Sequence, residues 1–321
     1  MKVALVGIYP TGTEEMFRQL LPVKDFEINV VNTQEKYDSL TDAEIIILRI
    51  FKLTKKVIQR NKNLKLVEKW GAGYDTIDIE AAGEVNIKVC NVTGANAYAV
   101  SEIAVLHMLA TLRNLINHHQ SMIKGVWTKG EWMDTSFTLM NKTVGLIGGG
   151  NIGRQVARRV QSFGANVQYH DMFRLNEEKE KEYNMKYVEL DELLRTSDVV
   201  SLHIPLNDET KNIISREKLA LMKPTSIIVN TARGGLIDEE ALREAIDNKK
   251  ILGAGLDCLA TEPINPDDPI LKQENVTLTP HIGGTSADIL GVMVPRIAKN
   301  IFAFSKNEEI ESIVNMKYMH R

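Results

Sequence analysis

A glycine-rich turn between a strand-like and a helix-like segment carries the most specific chemical pattern in this sequence. Residues 143–147 are apolar and β-branched, and residues 148–153 fit the pattern G-x-G-x-x-G. In this setting Gly148 permits a tight turn, Gly150 lets a pyrophosphate approach the backbone, and Gly153 allows the helix to pack closely on the sheet. The helix N-terminus then offers N–H groups to phosphates. The pattern predicts a dinucleotide site; a glycine turn without a ligand is the structural alternative.

An acidic residue follows the next predicted strand. Residues 167–170 lead to Asp171, which lies 23 positions after Gly148. A carboxylate at this place typically binds the adenosine ribose hydroxyls and repels a 2′-phosphate. We therefore expect NAD as the cofactor, with NADP kept open by the nearby Arg174.

Four polar residues follow predicted strands in the second half of the chain. Ligands of open α/β sheets bind beyond the carboxyl ends of strands, so these side chains are candidates for one crevice. Arginine binds carboxylates bidentately, and histidine donates a proton to a carbonyl oxygen as hydride arrives. A carboxylate beside that histidine favours its protonated form and fixes its tautomer. Each residue alone is more often structural, but the set after a dinucleotide turn predicts carbonyl reduction of an acid: Arg233, Asp257, Glu262 and His281.

The elements that must position these residues form two α/β series. Apolar β-branched runs alternate with helix-length amphipathic stretches, which predicts parallel sheets with crossover helices. Residues 97–124 separate the two series and have apolar residues at helical spacing. A helix is expected over 286–304, followed by a weakly structured tail. The predicted strands are 3–6, 26–31, 45–48, 64–67 and 87–90, then 143–147, 167–169, 199–202, 227–229, 252–256 and 276–278.

Composition excludes several classes of protein. The chain has 321 residues, a net charge of −3 and 44% hydrophobic residues, which indicates about two globular domains and argues against a dedicated nucleic-acid binder. Its two cysteines, Cys90 and Cys258, are far apart in the sequence. We therefore expect a reducing compartment and no disulfide framework. No apolar run reaches the roughly 18 residues of a membrane helix. The histidines show no metal-ligand spacing, so we expect no metal, no membrane and a cytoplasmic protein.

Five motifs in order give the chain a family resemblance. Together they resemble the D-isomer-specific 2-hydroxyacid dehydrogenases, which include D-3-phosphoglycerate, glycerate/hydroxypyruvate and D-lactate dehydrogenases, and the resemblance covers nearly the whole chain. The motifs are Lys69-Trp70-Gly71-Ala72-Gly73-Tyr74-Asp75, residues 148–153, Asn230-Thr231-Ala232-Arg233-Gly234-Gly235, Asp257 through Glu262-Pro263, and Pro280-His281-Ile282-Gly283-Gly284.

The resemblance implies a role for each matching residue. Arg233 is implied to bind the substrate, His281 to be the acid/base and Glu262 to be its partner. The 71–73 loop (Gly71, Ala72, Gly73) is implied to receive the substrate carboxylate through backbone N–H groups. The implied cofactor residues are Gly148, Gly150, Asn151, Ile152, Gly153 and Asp171 at the pyrophosphate and ribose, Ile204 and Pro205 at the adenine, and Thr231, Ala232, Asp257, Gly283 and Gly284 toward the nicotinamide.

The resemblance also implies an architecture. Residues 1–97 with 285–321 would form a flavodoxin-like substrate domain, and residues 98–284 a Rossmann NAD-binding domain. Both would be doubly wound parallel α/β domains, with a cleft between them that closes on a small 2-oxo or 2-hydroxy acid. The segment 97–124 would help to build a homodimer. We also expect the chain to lack the additional regulatory domain of some phosphoglycerate dehydrogenases.

The substrate and one different class of function stay open. Arg49, Lys52 and Lys69 could bind a phosphate, which would favour 3-phosphohydroxypyruvate, or be solvated charges beside a site for hydroxypyruvate or glyoxylate. Formate oxidation is disfavoured, because members of that branch place a glutamine where Glu262 stands. The alternative from another class is an NAD(H)-sensing, corepressor-like binding protein, although such proteins usually carry partner-binding tails.

Overall fold

Residues 1–320 are described by a computed structural model and fall into two compact units. The first unit comprises Met1–Asn96 and the chain from Gly284 onward, and the second is Ala97–Gly283. The first unit is therefore assembled from two separate stretches of sequence, whereas the second is continuous.

The first unit is built on a five-stranded parallel sheet. Its strand order, β2-β1-β3-β4-β5, is the flavodoxin-like order and confirms the fold class expected for this part of the chain. The strands are β1 Lys2–Val6, β2 Glu27–Val31, β3 Ile45–Leu48, β4 Leu66–Lys69 and β5 Lys88–Asn91. The helices are α1 Thr13–Leu20, α2 Gln34–Ser39, α3 Lys55–Arg60, α4 Ile79–Glu84 and, from the later stretch, α12 Leu290–Ser305.

Both faces of this sheet are covered, which explains why its central strands are apolar throughout. In β3, Ile45 and Ile47 belong to one apolar cluster, and Ile46 and Leu48 belong to another. Successive side chains of a strand point to opposite faces, so helices on each side bury alternate residues. Each fully buried isoleucine or leucine contributes about 1.5–3 kcal/mol of burial free energy.

The last residues of the first unit are ordered along β5, so the predicted weakly structured tail is wrong. Asn315 is fully buried; its side chain accepts from Val89 N at 3.0 Å and donates to Ile87 O at 2.8 Å. Ile313 forms an antiparallel bridge with Cys90. An exposed strand edge would leave such backbone groups unpaired, and this tail covers it.

The second unit is built on a seven-stranded parallel sheet. Its strand order, β12-β11-β10-β9-β6-β7-β8, is the Rossmann order with one added strand, and the order reverses between β6 and β9. The strands are β6 Thr143–Ile147, β7 Asn166–His170, β8 Lys186–Tyr187, β9 Val199–Leu202, β10 Ile227–Asn230, β11 Gly253–Leu256 and β12 Val276–Leu278. The helices are α5 Ala97–Leu112, α6 Leu115–Ile123, α7 Asn151–Ser162, α8 Glu177–Tyr183, α9 Leu190–Thr196, α10 Arg216–Leu219 and α11 Glu239–Asp247.

The stretch 97–124 forms two helices. Asn114 adopts the left-handed conformation, φ 49°, and α5 and α6 meet there at 67°. Phe137 N donates to Leu112 O at 2.8 Å, which satisfies a carbonyl that the break leaves open. Within residues 1–320 no single helix is long and apolar enough to cross a membrane; only the bent pair α5–α6 meets the length and composition requirement.

The second unit also contains a very short edge strand and an exposed charged helix. The short edge strand β8 was not predicted, because two residues carry no usable alternation. The charged run 177–182 forms the largely exposed helix α8. The remaining helical turns are short 3₁₀ segments at Met133–Thr135, Gly234–Leu236, Pro269–Lys272, Ala287–Ile289 and Met316–Tyr318.

Candidate active site

The glycine-rich turn joins β6 to α7 at the point where the strand order of the second unit reverses. Gly148 has φ +111°, and a Cβ there would lie 2.6 Å from His203 O. A Cβ on Gly153 would lie 2.1 Å from Gly148 O, so the start of α7 lies directly against the turn. A Cβ on Gly150 would meet nothing within 4 Å. Two glycines are thus required by close packing, while the third borders open space in which a phosphate group can approach the helix N-terminus.

Asp171 at the end of β7 is tied to this turn. Its Oδ2 accepts from Gly149 N at 2.7 Å, and its Oδ1 accepts from Phe173 N at 2.9 Å. Arg174, the residue that kept NADP open, donates to both oxygens of Glu180 at 2.8 and 3.0 Å. The negative charge at the turn is therefore Asp171, and the nearby cation is already paired.

The other implied cofactor residues surround the same strand ends. Ile204 packs partly against the apolar cluster of the sheet and Pro205 is exposed just after β9. Thr231 follows β10 and is 7% exposed, and its hydroxyl has no hydrogen-bond partner within residues 1–320. A buried hydroxyl without a partner is a costly feature in a protein interior unless a ligand satisfies it. The open space at Gly150, the carboxylate of Asp171 and this hydroxyl together fit a dinucleotide.

Arg233 is held by the strand end that precedes it. Its Nη1 donates to Ala232 O at 2.6 Å. The buried side chain of Asn230 donates to Arg233 O at 2.7 Å and accepts from Ala232 N at 3.0 Å. Asn230 therefore fixes the backbone from which the guanidinium projects.

Glu262 and His281 form a hydrogen-bonded pair. His281 Nδ1 lies 2.8 Å from Glu262 Oε2, and Glu262 Oε1 accepts from Leu259 N at 3.0 Å. Partial burial disfavours ionisation of Glu262, but the hydrogen bond and charge of His281 outweigh it and lower the pKa of Glu262; Arg233 adds to this effect. An ionised carboxylate only accepts, so Nδ1–H of His281 is the donor.

Asp257 organises the loop that carries His281. The side chain is 1% exposed; Oδ1 accepts from Thr279 Oγ1 at 2.6 Å and from Ile282 N at 2.8 Å, and Oδ2 accepts from Gly283 N at 2.7 Å. Its backbone oxygen accepts from His281 N at 2.7 Å. His281 is held in the left-handed region, φ 54°, which a non-glycine residue adopts at a cost of about 1–3 kcal/mol.

The predicted substrate residues of the first unit lie at the ends of β3 and β4. Gly71 has φ +121° and accepts from Val92 N at 3.0 Å, and Ala72 O accepts from Asn91 Nδ2 at 2.6 Å; Gly73 follows in the same loop. Arg49 donates to Ile8 O and, at 3.1 Å, to Thr285 Oγ1. Gly284 lies beside Asn96, whose Nδ2 would be 3.3 Å from a Cβ at position 284.

Lys69 is not a solvated surface charge. It is 7% exposed and its Nζ donates to Arg49 O. Lys52, by contrast, is exposed. The surface alternative is therefore wrong for Lys69, because the end of β4 is buried, whereas for Lys52 a phosphate ligand and a solvated charge both stay open.

Three residues at the site were not singled out from the sequence. Asn230 fixes the Arg233 backbone, Thr279 donates to Asp257, and His107 of α5 contacts Thr279 at 2.8 Å. Their only signal is a polar residue inside an otherwise apolar segment. Within residues 1–320 no group of three or more His, Cys, Asp or Glu side chains is arranged to hold a metal.

Comparison with known proteins agrees with this geometry. Residues 105–283 match the family described as "D-isomer specific 2-hydroxyacid dehydrogenase, NAD binding domain". The chain is 41% identical over 279 residues to a hydroxypyruvate reductase of Thermotoga maritima, covering 84% of this chain and 88% of the relative. It is 36% identical over 306 residues to a D-3-phosphoglycerate dehydrogenase of Methanocaldococcus jannaschii, covering 94% of this chain and 58% of that relative.

A solved structure extends the likeness to the whole fold. The crystal structure of a glyoxylate reductase from Paecilomyes thermophila superposes with a TM-score of 0.87 at 30% identity, covering 99% of both chains. The matched family segment lies within the Rossmann unit and spans β6 to β12 together with the His281 loop. From these likenesses and the paired motifs, the chain belongs to the D-isomer-specific 2-hydroxyacid dehydrogenases and is an NAD-dependent oxidoreductase.

Proposed function

We propose that this protein reduces a small, unphosphorylated 2-oxo acid, hydroxypyruvate or glyoxylate, to the D-2-hydroxy acid, reversibly and with NADH. The observation that carries the proposal is the 2.8 Å hydrogen bond between His281 and Glu262 in a unit that fits a dinucleotide. Such a pair can donate a proton to a carbonyl oxygen. Formate oxidation does not require a proton donor of this kind.

His281 is the proposed acid/base. Its Nδ1–H is committed to Glu262, so the transferred proton is the one on Nε2. The ionised Glu262 stabilises the imidazolium before transfer and fixes the ring orientation through its second bond to Leu259 N. In the reverse direction the neutral Nε2 accepts the hydroxyl proton.

Arg233 is the proposed substrate-binding residue. A guanidinium binds a carboxylate or polarises a carbonyl through two parallel N–H groups. Its backbone is fixed by Asn230, which limits the loss of entropy on binding. Arg233→Ala is expected to lower kcat/KM for the oxo acid while NADH affinity holds.

The NAD-binding residues proposed in the second unit are those at the strand ends. Gly148, Gly150, Asn151, Ile152 and Gly153 would hold the pyrophosphate, and Asp171 the ribose. Ile204 and Pro205 would border the adenine, and Thr231, Ala232, Asp257 and Gly283 would lie toward the nicotinamide. When bound, NADH supplies the hydride. The pairing of Arg174 with Glu180 supports NAD over NADP.

The first unit is the proposed substrate domain. The 71–73 loop would receive the substrate carboxylate through its backbone N–H groups. Arg49 donates to Ile8 O and Thr285 Oγ1, and Lys69 donates to Arg49 O, so part of the hydrogen-bonding capacity of these cations is already taken up within the first unit. This favours an acid without a phosphate.

A panel of 2-oxo acids tests the proposal. Pyruvate, glyoxylate, hydroxypyruvate, phenylpyruvate, 2-oxoglutarate and 3-phosphohydroxypyruvate are offered with NADH or NADPH, and the loss of reduced cofactor is followed by absorbance. The highest kcat/KM is expected for hydroxypyruvate or glyoxylate with NADH. A preference for 3-phosphohydroxypyruvate would indicate that Arg49 and Lys69 bind the phosphate group. Tight NADH binding without turnover of any acid would favour the NAD(H)-sensing function.

We also propose that the protein is a cytoplasmic homodimer. Exposed apolar side chains recur along α5 and α6 and directly after α7, among them Leu106, Leu115, Ile123 and Phe163. Both cysteines are buried and free, which suits a reducing compartment. Light scattering coupled to gel filtration is expected to give twice the chain mass; a monomer at micromolar concentration would refute the dimer.

A further inference from the structure

Two polar side chains of α5 form a ladder with β12 and the residue that follows it. His107 Nε2 lies 2.8 Å from Thr279 Oγ1, and one helical turn later Thr111 Oγ1 donates to Thr277 Oγ1 at 3.2 Å. A spacing of four residues on a helix matches a spacing of two on a strand, so the two pairs form successive rungs. His107 is 1% exposed in a helix that is otherwise mostly apolar.

The sheet makes room for the imidazole. A Cβ on Gly255 of β11 would lie 2.7 Å from His107 Cβ and 3.1 Å from its Cγ and Nδ1. Any larger residue at position 255 would displace the ring. The position of His107 is therefore built into both the helix and the neighbouring strand.

The directions of the hydrogen bonds follow from Asp257. Its carboxylate accepts from Thr279, Ile282 N and Gly283 N. The single hydroxyl proton of Thr279 thus points to Asp257, and its oxygen can only accept from His107. This assigns the Nε2–H tautomer to His107 and leaves Nδ1 unprotonated; within residues 1–320 that atom has no hydrogen-bond partner.

The charge state of His107 agrees with this tautomer. Burial lowers the pKa of His107, and the nearby Asp257 only partly opposes the effect. The charged groups facing the ladder and the loop are Asp257 toward His107, and Glu262 with Arg233 toward His281. The chain from His107 through Thr279 to Asp257 is thus a fixed series of donors that ends on the loop carrying the acid/base.

We propose that His107 is a positioning residue for the proton-transfer step: by donating to Thr279, it fixes Asp257 and thereby the backbone of His281. The proposal rests on the proposed role of His281. It assigns to His107 an effect on kcat and on loop order that is larger than its effect on NADH affinity, because the glycine turn and Asp171, which would hold the pyrophosphate and the ribose, lie at the ends of β6 and β7 and not on the loop after β12. The loop needs such support, since Pro280 offers no N–H and His281 has φ 54°.

The test compares His107→Leu, which removes the donor, with His107→Gln, whose amide N–H can reach the place of Nε2. His107→Leu is expected to lower kcat for hydroxypyruvate about tenfold with NADH Kd within about twofold, because a small misplacement of a reacting group costs at least this much. His107→Gln is expected to restore most of the lost turnover. A His107→Leu enzyme with unchanged kcat, or no recovery with Gln, would overturn the proposal.

Thr111→Val is the matched control, since it breaks the neighbouring rung of the same ladder and does not touch Asp257. It is expected to lower Tm without changing kcat, whereas an equal loss of kcat in Thr111→Val would show that His107 acts only through general stability. Thr279→Val and Thr279→Ser supply a second pair in case His107→Leu does not fold. Thr279→Val is expected to lower kcat as His107→Leu does, and Thr279→Ser is expected to keep it. Equal activity of these two variants would contradict the proposed role of the Thr279 hydroxyl.

Amide exchange separates this proposal from the proposed function. Exchange at Ile282 and Gly283, measured by mass spectrometry or NMR, is expected to accelerate in His107→Leu and in Thr279→Val but not in Thr111→Val. Unchanged exchange in the first two would refute the positioning of the loop. If instead His281→Asn retains turnover while exchange responds as expected, the proposed acid/base is wrong and the loop assignment stands.

Discussion

Two carboxyl groups of this protein differ in charge because of what surrounds them. Glu262 receives hydrogen bonds from His281 and Leu259 N, which lower its pKa despite partial burial. Glu68 on β4 is fully buried, and Asn300 and the thiol of Cys90 offset only part of the cost that burial imposes on its ionised form. Burial raises the pKa of Glu68 to about 8. The carboxyl of Glu262 is therefore ionised, whereas the carboxyl of Glu68 is a neutral group in the core.

At the residue scale, Glu262→Gln is expected to move the alkaline limb of the reduction pH–rate profile to lower pH. The carboxylate favours the protonated imidazole through a charge-assisted hydrogen bond worth about 1.5–3 kcal/mol when desolvated, and less at this half-exposed site. Profiles of kcat/KM from pH 5 to 10 measure the shift. Glu274→Gln, which removes an exposed charge from the same unit, is the control; a limb that stays in place would contradict the pairing.

The buried Glu68 gives a second expectation at this scale. Its pKa in the folded protein is about 8, above the ordinary value of 4.5. The contribution of the protonated carboxyl to the stability of the folded state is therefore fully present below pH 4.5 and is lost as pH rises to about 8. The free energy of unfolding of the wild type, relative to Glu68→Gln, should fall by about 1.4 kcal/mol per pH unit in that window. Urea unfolding at pH 5, 6, 7 and 8 measures it, and a constant difference would show that Glu68 titrates normally.

At the scale of elements, the turn between β6 and α7 depends on contact between backbones. A Cβ on Gly153 would clash with the carbonyl oxygen of Gly148. A Cβ on Gly148 would clash with the carbonyl oxygen of His203. Helix, turn and strand end therefore form one tightly packed unit. Its geometry is what presents the N-terminus of α7 and Asp171 together.

Gly153→Ala is expected to weaken NADH binding about tenfold or more. Its Cβ would meet Gly148 O at 2.1 Å, and overpacking of this kind costs about 1–3 kcal/mol and shifts the helix start. Gly291→Ala in α12 is the control, because a Cβ there meets nothing within 4 Å and alanine favours a helix by up to about 1 kcal/mol. NADH fluorescence titration reads both; equal affinities in the two variants would refute the packing explanation.

At the scale of the whole molecule, each unit has its own interior. Two apolar clusters lie on the two faces of the first sheet, and two others lie on the faces of the second. Each of the four clusters lies wholly within one unit. The second unit is also continuous in sequence, which is the simplest condition for independent folding.

Residues 97–283 expressed alone are expected to fold, bind NADH and fail to reduce any 2-oxo acid, because this fragment lacks the 71–73 loop, which we propose binds the substrate carboxylate. Circular dichroism, NADH fluorescence and the absorbance assay measure the three properties. The full chain is the control for each. A folded fragment that does not bind NADH would show that the dinucleotide site needs residues outside the second unit.

Much of the fold was predictable from local patterns. Apolar runs of three to six residues marked nearly all strands because both faces of each sheet are covered, and the glycine turn and Asp171 followed from spacing along one β-α-β unit. The two-residue strand β8, the break at Asn114 and the ordered tail were not predictable. Each depends on a single backbone conformation or on an edge that a distant segment covers.

The sequence by itself determined the fold class, the family and the types of residue that can do the chemistry, because order and spacing along the chain carry that information. Only the tertiary structure decided which of these residues meet. Glu262 and His281 are 19 positions apart, and His107 and Thr279 are 172 positions apart. Their contact depends on strand order and helix packing, and the burial that neutralises His107 and Glu68 exists only once both sheets are covered.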